Sequence, residues 1–241
     1  MSRDVVFELC AEHVDACLVA REGGAARIEL CSSLSEGGLT PSQELQRVAI
    51  EQSGLPVYVL LRPRGGNFVY SDHEFALIED DLNHARQLGA SGFVAGVLKA
   101  DGSVDQSRMR RLVDLVGPLE VTFHRAFDAS SDLERALEDV IETGCRRILS
   151  SGGAKNVLAG ADRLGALVEQ AAGRIVIAAG GGLRVGDAAE VARRSRTTHF
   201  HGSMRRRRSG ARANGGMVTD VSDIRDVVEA LRSGSATPAH S

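Results

Sequence analysis

The chain has 241 residues, 43% of them hydrophobic, and a formal charge of −3 at pH 7. That length supports one large α/β core, and the near-neutral charge argues against nucleic acid or a membrane surface as partner. It holds neither a run of 18 apolar residues nor an early apolar run behind a basic start, so neither a membrane span nor a signal peptide is expected. The four cysteines, Cys10, Cys17, Cys31 and Cys145, form no CxxC pair, which fits reduced thiols in a cytoplasm.

In chain order, Val5–Cys10 reads as a strand, an Ala-rich segment from about Glu12 to Arg21 as a helix, and Ala26–Cys31 as a second strand. Thr40 and Gln43 suggest a capping box with Pro41 at the first helical position, opening a helix to about Gln52. Val57–Leu61 is the third strand. Ser71 and Glu74 cap a helix to about Leu88, and Gly92–Leu98 is the fourth strand. Ser103 and Gln106 cap a helix to about Val116, Leu119–His124 is the fifth strand, and Ser131 and Glu134 cap the helix after it. Arg147–Ser150 and Arg174–Ala179 are the sixth and seventh strands, with a helix from about Asn156 to Ala171 between them. A helix over Asp187–Arg194, a short strand at Thr197–His201 and a last helix over Val221–Leu231 complete the pattern. The basic run Arg205–Arg208 lies in a stretch, Met204–Gly216, that reads as a solvated mobile loop, because it lacks interleaved aromatics. Residues 233–241 read as a disordered tail after a single domain over 1–232.

Eight strands alternating with eight helices predict a single (β/α)8 TIM barrel. A doubly wound open sheet would bury both strand faces under helices and read as uniformly apolar. Here polar residues recur in step. The tripeptide Glu-Leu-Cys occurs twice, at Glu8–Cys10 and Glu29–Cys31. Period-2 alternation puts Glu8 with Cys10, and Glu29 with Cys31, on the face away from the helices. A buried carboxylate needs a partner.

Sites in this barrel lie where strands end and βα loops begin. By the same parity the third strand offers Arg62 and, two residues on, Arg64. The fifth offers Thr122 and His124, followed by Arg125 and Asp128, and the eighth offers His199 and His201. Arg62 and Arg64 could neutralise Glu8 and Glu29 in a purely structural network. Alternatively, Glu8, Glu29, His124, Asp128 and His201 form an acid–base set. The runs Ser151-Gly152-Gly153 and Gly180-Gly181-Gly182 each follow a strand, so the amides of Ser151, Gly152, Gly153, Gly181 and Gly182 could hold an anion with Arg62 and Arg64. That combination would make the chain a barrel enzyme, an isomerase, lyase or hydrolase, for a small anionic and possibly phosphorylated substrate. The thiols suggest other chemistry. Neighbouring strands lie ~4.8 Å apart, so Cys10 and Cys31 could share a Cu(I) ion, or Zn(II) if a His or Glu completed the shell. They could also be inert small hydrophobes.

Several motifs stand in a characteristic order: Arg27-Ile28-Glu29-Leu30-Cys31-Ser32, Glu36-Gly37-Gly38-Leu39-Thr40-Pro41-Ser42, and Arg62-Pro63-Arg64-Gly65-Gly66-Asn67-Phe68-Val69-Tyr70-Ser71. Gly96-Val97-Leu98 with Asp101-Gly102, Val121-Thr122-Phe123-His124-Arg125-Ala126-Phe127-Asp128, Arg147-Ile148-Leu149-Ser150-Ser151-Gly152 and His201-Gly202-Ser203 follow. Over residues 4–203 the chain resembles the CutC copper homeostasis proteins. The resemblance implies a TIM barrel, a cytoplasmic location, often a dimer or higher assembly, and copper binding with Cys10 and Cys31 at positions proposed as Cu(I) ligands. The chain departs from the family pattern at Asn67, where Asp is usual, at Ser150, where Thr is usual, and at His199, where an acidic residue is common.

Overall fold

A computed structural model describes residues 4–207 and 217–236. Eight parallel strands close a barrel in sequence order: β1 (Val6–Ala11), β2 (Arg27–Leu30), β3 (Val57–Leu60), β4 (Gly92–Ala95), β5 (Glu120–Phe123), β6 (Arg147–Ser150), β7 (Val176–Ala179) and β8 (His199–Gly202). The seam is a parallel β1–β8 pairing with Glu8 opposite His201. The helices are α1 (Val14–Ala20), α2 (Gln43–Gln52), α3 (Asp72–Gln87), α4 (Gln106–Val116), α5 (Leu133–Glu142), α6 (Ala161–Ala171), α7 (Val185–Ser195) and α8 (Val221–Ser235). The expected TIM barrel is therefore the observed fold.

Strand alternation divides the side chains as the sequence suggests. Phe7, Leu9, Ile28, Leu30, Val59, Phe93, Phe123, Ile148 and Phe200 belong to the large apolar layer under the helices. A second, small apolar cluster of Cys10, Cys31, Tyr58, Leu60 and Val94 lies within the barrel. The lower barrel interior is polar. Tyr58 donates to Glu120 at 2.9 Å, Arg147 pairs with Glu120 at 3.2 Å, and the guanidinium groups of Arg27 and Arg147 lie 5.1 and 5.6 Å from the Tyr58 ring centre. Gly92 leaves the space this ring occupies, since a Cβ there would fall 2.3 Å from Cε1 of Tyr58.

Helix α6 starts at Ala161, five residues after the expected Asn156, and three expected caps are displaced by one to two residues. Ser42, Asp105 and Asp132 accept the capping amides in place of Thr40, Ser103 and Ser131. Thr40 is drawn elsewhere, accepting from the Arg62 amide at 2.9 Å. Only the Ser71–Glu74 capping box among the expected caps stands as read. After β8, Arg205 pairs with Glu12, and Arg206 pairs with Asp220 and Asp223. The strands β9 (Arg206–Arg207) and β10 (Met217–Val218) pair antiparallel, so the start of the basic run is tied down. Arg208 and the rest of the expected loop lie outside the described residues. The last helix takes in Ser233, Gly234 and Ser235, three residues expected in the tail, and residues 237–241 lie outside the described part. No helix among the described residues is long and apolar enough to cross a membrane.

Candidate functional site

The strand ends enclose a pocket of about 480 Å³, lined by side chains that include Cys10, Glu29, Arg62, Phe68, His124 and His201. The charged and thiol side chains at its base come from alternate positions of three neighbouring strands. Glu8 and Cys10 come from β1, Glu29 and Cys31 from β2 and its end, and His201 from β8.

At the base of the pocket sits a charged seam. His201 Nδ1 lies 2.8 Å from Glu8 Oε1, and Arg27 pairs with the other oxygen of Glu8. Burial opposes ionisation of Glu8, but the His201 hydrogen bond and the Arg27 charge overcome it and hold the carboxyl well below the usual range. For His201, burial likewise disfavours charge. The nearby carboxylates Glu29 and Glu8, together with Cys10, outweigh it and raise the imidazole well above its ordinary value. Glu29 is a buried carboxyl without a guanidinium of its own. Burial, aided by the charge of Glu8 and opposed by His201, pushes it up to about 7. Its Oε2 has no hydrogen-bond partner.

The two thiols meet beside it. The sulfurs of Cys10 and Cys31 are 3.7 Å apart, and Cys10 Sγ is 3.7 Å from Glu29 Oε1. Hydrogen bonding to Cys31 and burial raise the Cys10 thiol well above its usual value. Cys10, Glu29 and His201 each present a ligand atom, all within 4.8 Å of one another. Metal–sulfur bonds of roughly 2.3 Å would span at most ~4.6 Å in a straight line. One ion therefore reaches both sulfurs, whereas the group whose ligand atoms all lie close together is Cys10, Glu29 and His201, without Cys31. The residues present suit a soft or borderline ion.

On the opposite wall His124 is buried against Phe68, with ring centres 5.0 Å apart. Burial and the charge of Arg62 lower its value to about 3, so the ring is neutral. Its Nδ1 accepts from the Ala126 amide at 3.1 Å, which puts the hydrogen on Nε2. That Nε2 has no partner. An unpaired buried polar group costs ~1–3 kcal/mol, so two such atoms on one pocket are unusual in a purely structural core.

A model of the CutC family matches residues 5–206. The chain belongs to the CutC family. A CutC family protein from Chromobacterium violaceum is 43% identical over 95% of this chain and 98% of its own length. One from Xylella fastidiosa strain 9a5c is 44% identical, covering 98% of this chain and 92% of its own. Among solved structures, one assigned provisionally as the copper homeostasis protein CutC of Streptococcus agalactiae superposes with a TM-score of 0.77. It is 31% identical and covers 83% of this chain and 98% of that one. N-(5'-phosphoribosyl)anthranilate isomerase from Pyrococcus furiosus, at 15% identity and a TM-score of 0.59 over 95% and 98% of the two chains, shares the fold alone.

Within this CutC barrel the expected site residues divide into two groups. Cys10, Glu29, His124 and His201 line the pocket with Arg62 and Gly181, while Glu8 meets this set through His201 and Cys31 through Cys10. Arg62 does not neutralise a carboxylate. Its guanidinium donates to the carbonyls of Glu36, Gly38 and Gly66 and lies over the Phe68 ring. Arg64 points away and pairs with Glu74 at 2.5 Å. The expected anion cradle is filled from within the chain. The Asp128 carboxylate accepts from the hydroxyls of Ser150 and Ser151 and from the amides of Ser151 and Gly153, and it pairs with Arg125. The Gly152 amide turns instead to Ser150 Oγ. Asp128 is therefore a brace of the β6–α6 turn, although it borders the pocket. Gly182 is not part of the pocket wall; a Cβ there would approach Asn156. His199, which shares a face with His201, lies lower in the barrel at the level of Val6 and Ala178. Two functional partners escaped the sequence reading, Arg27 and Arg147. Both share the parity of the inward residues Glu29 and Ser151, so the same period-2 rule, carried two residues upstream of Glu29 and four upstream of Ser151, would have found them.

Proposed function

We propose that the chain is a cytoplasmic copper-binding protein of copper homeostasis, holding Cu(I) between the thiolates of Cys10 and Cys31. The observation that carries this reading is the 3.7 Å approach of the two sulfurs on neighbouring strands. Thiolates select soft Cu(I) over the harder ions of the cell. Copper is the cargo here. Cys10 borders the pocket and Cys31 is fully buried behind it, so the ion would enter past Cys10. Glu29, beside Cys10, stands ready to accept the proton when that thiol ionises. All four cysteines are free, in keeping with a reducing compartment. The provisional naming of the Streptococcus agalactiae structure for copper homeostasis agrees with the copper part of this reading.

The test is an anaerobic Cu(I) titration of the reduced protein against a chromophoric chelator. Tight one-site binding is expected in the parent chain. Cys10→Ser and Cys31→Ser should each weaken it, and the double variant should abolish it while the circular dichroism spectrum is unchanged. Equal affinity in the folded double variant would defeat the proposal.

A further inference from the structure

The copper reading leaves His124 unexplained. It takes no part in the thiol cluster, yet the structure holds it with care. A Cβ on Gly96 would sit 2.5 Å from Nδ1 of His124, so the glycine is what lets the ring lie against β4. The Ala126 amide fixes the tautomer from one side and Phe68 covers the ring. Phe68 is itself backed by Arg62, whose guanidinium is locked by three backbone carbonyls. The result is a neutral, oriented N–H donor with no acceptor in the protein.

Glu29 supplies the complementary atom. Glu29 lines the same pocket, and its buried Oε2 makes no hydrogen bond in the protein, the His201 Nδ1 lying 3.9 Å away. A hydroxyl group would satisfy it in either protonation state, donating to the carboxylate or accepting from the acid. A neutral imidazole N–H, by contrast, is suited to a carbonyl oxygen, whose charge it can polarise without an ion pair. Leu34, Leu60 and Leu149 give the pocket apolar walls for a carbon skeleton, and about 480 Å³ is room for a sugar-sized molecule. Of the groups that would have favoured an anion, Arg64 is held by Glu74, the Ser151–Gly153 turn by Asp128, and the guanidinium of Arg62 by three backbone carbonyls.

We propose that this pocket binds an uncharged, sugar-sized hydroxycarbonyl compound, its carbonyl oxygen on the Nε2–H of His124 and a hydroxyl on Oε2 of Glu29. The proposal goes beyond the copper reading and does not depend on it. Glu29 borders both, but Cys31 is absent from the pocket wall and His124 is absent from the metal trio.

The test uses the full chain, reduced and free of metal, labelled with ¹⁵N-histidine. Three ketose–polyol pairs are titrated: dihydroxyacetone and glycerol, erythrulose and erythritol, ribulose and ribitol. Each pair differs only by a carbonyl in place of a carbinol. At least one ketose should saturate in the millimolar range, shift the His124 Nε2–H resonance, and bind about tenfold or more tighter than its polyol. His124→Phe should erase that preference, and Cys31→Ser should keep it. Equal binding within every pair, no saturating ketose, or a preference that survives His124→Phe would overturn the proposal. Should His124→Phe fail to fold, the ketose–polyol comparison in the parent chain still decides. Loss of copper binding in Cys31→Ser with the ketose preference intact would separate the two sites.

Discussion

Glu8 and Glu29 are both buried carboxyls on neighbouring strands, and they behave as opposites because one has a guanidinium and the other does not. Arg27 faces Glu8 in the β1–β2 register. Its removal in Arg27→Met strands the Glu8 charge against His201 alone. The expected loss is about 3–5 kcal/mol, the usual cost of breaking a buried pair from one side. Urea unfolding will measure it, and Arg27→Met combined with Glu8→Gln should recover part of the loss. A single variant as stable as the parent would show that His201 suffices. The acidic residues and thiols at the strand ends are legible from sequence because alternation alone assigns their face. Their partners are harder to read. Which of several arginines meets Glu8 depends on strand register around a closed barrel, and Arg27 and Arg62 differ in nothing local that would announce the choice.

At the scale of elements, the turn between β6 and α6 shows how a motif can be real and its occupant misjudged. Ser150-Ser151-Gly152-Gly153 does form a pocket of donors for an oxyanion, and the oxyanion is Asp128 from the segment after β5. Nothing in the spacing of a glycine run reports whether another loop reaches it. Asp128→Ala should lower stability by about 2–4 kcal/mol, since several charge-assisted hydrogen bonds go at once. It should also open the cradle. Inorganic phosphate is then expected to raise the melting temperature of the variant with rising concentration and to leave the parent unmoved. Phosphate insensitivity of a folded Asp128→Ala chain would mean the turn collapses without its carboxylate. The capping boxes teach a related lesson. Ser71–Glu74 was readable because both halves act locally, whereas Thr40 lost its cap role to a distant amide at Arg62.

For the molecule as a whole, buried imidazoles set the response to acid. His124 and His199 have folded values of about 3 and about 4, below the ordinary 6.5, so unfolding takes up a proton at each once the pH falls below 6.5. Glu29, raised to about 7 in the fold, releases its proton on unfolding over the same range and cancels one of them. His201 is raised, so below 6.5 it is protonated in both states and adds no slope. Between about pH 5 and 6.5 one net proton favours the unfolded chain, and stability should fall with acid by on the order of 1.4 kcal/mol per pH unit. The decline should flatten in His199→Asn, which urea midpoints across that range will show. A parent chain with a flat profile would contradict the assignment of His124 and His199 as neutral. The barrel itself was plain in the sequence because eight strand–helix alternations over this length have few other solutions.

Glu8 and His201 are 193 positions apart in the chain and 2.8 Å apart in the fold. The ribosome therefore delivers the first half of this contact, with both thiols soon after, long before the second half exists. Throughout most of synthesis Cys10 and Cys31 belong to an open curl of strands, without the imidazole that later abuts them. Competence at the site begins only when β8 docks on β1. A chain truncated before His201 should carry all four cysteines and lack the β1–β8 seam, a nascent form distinguished from the finished one by its uncovered Glu8.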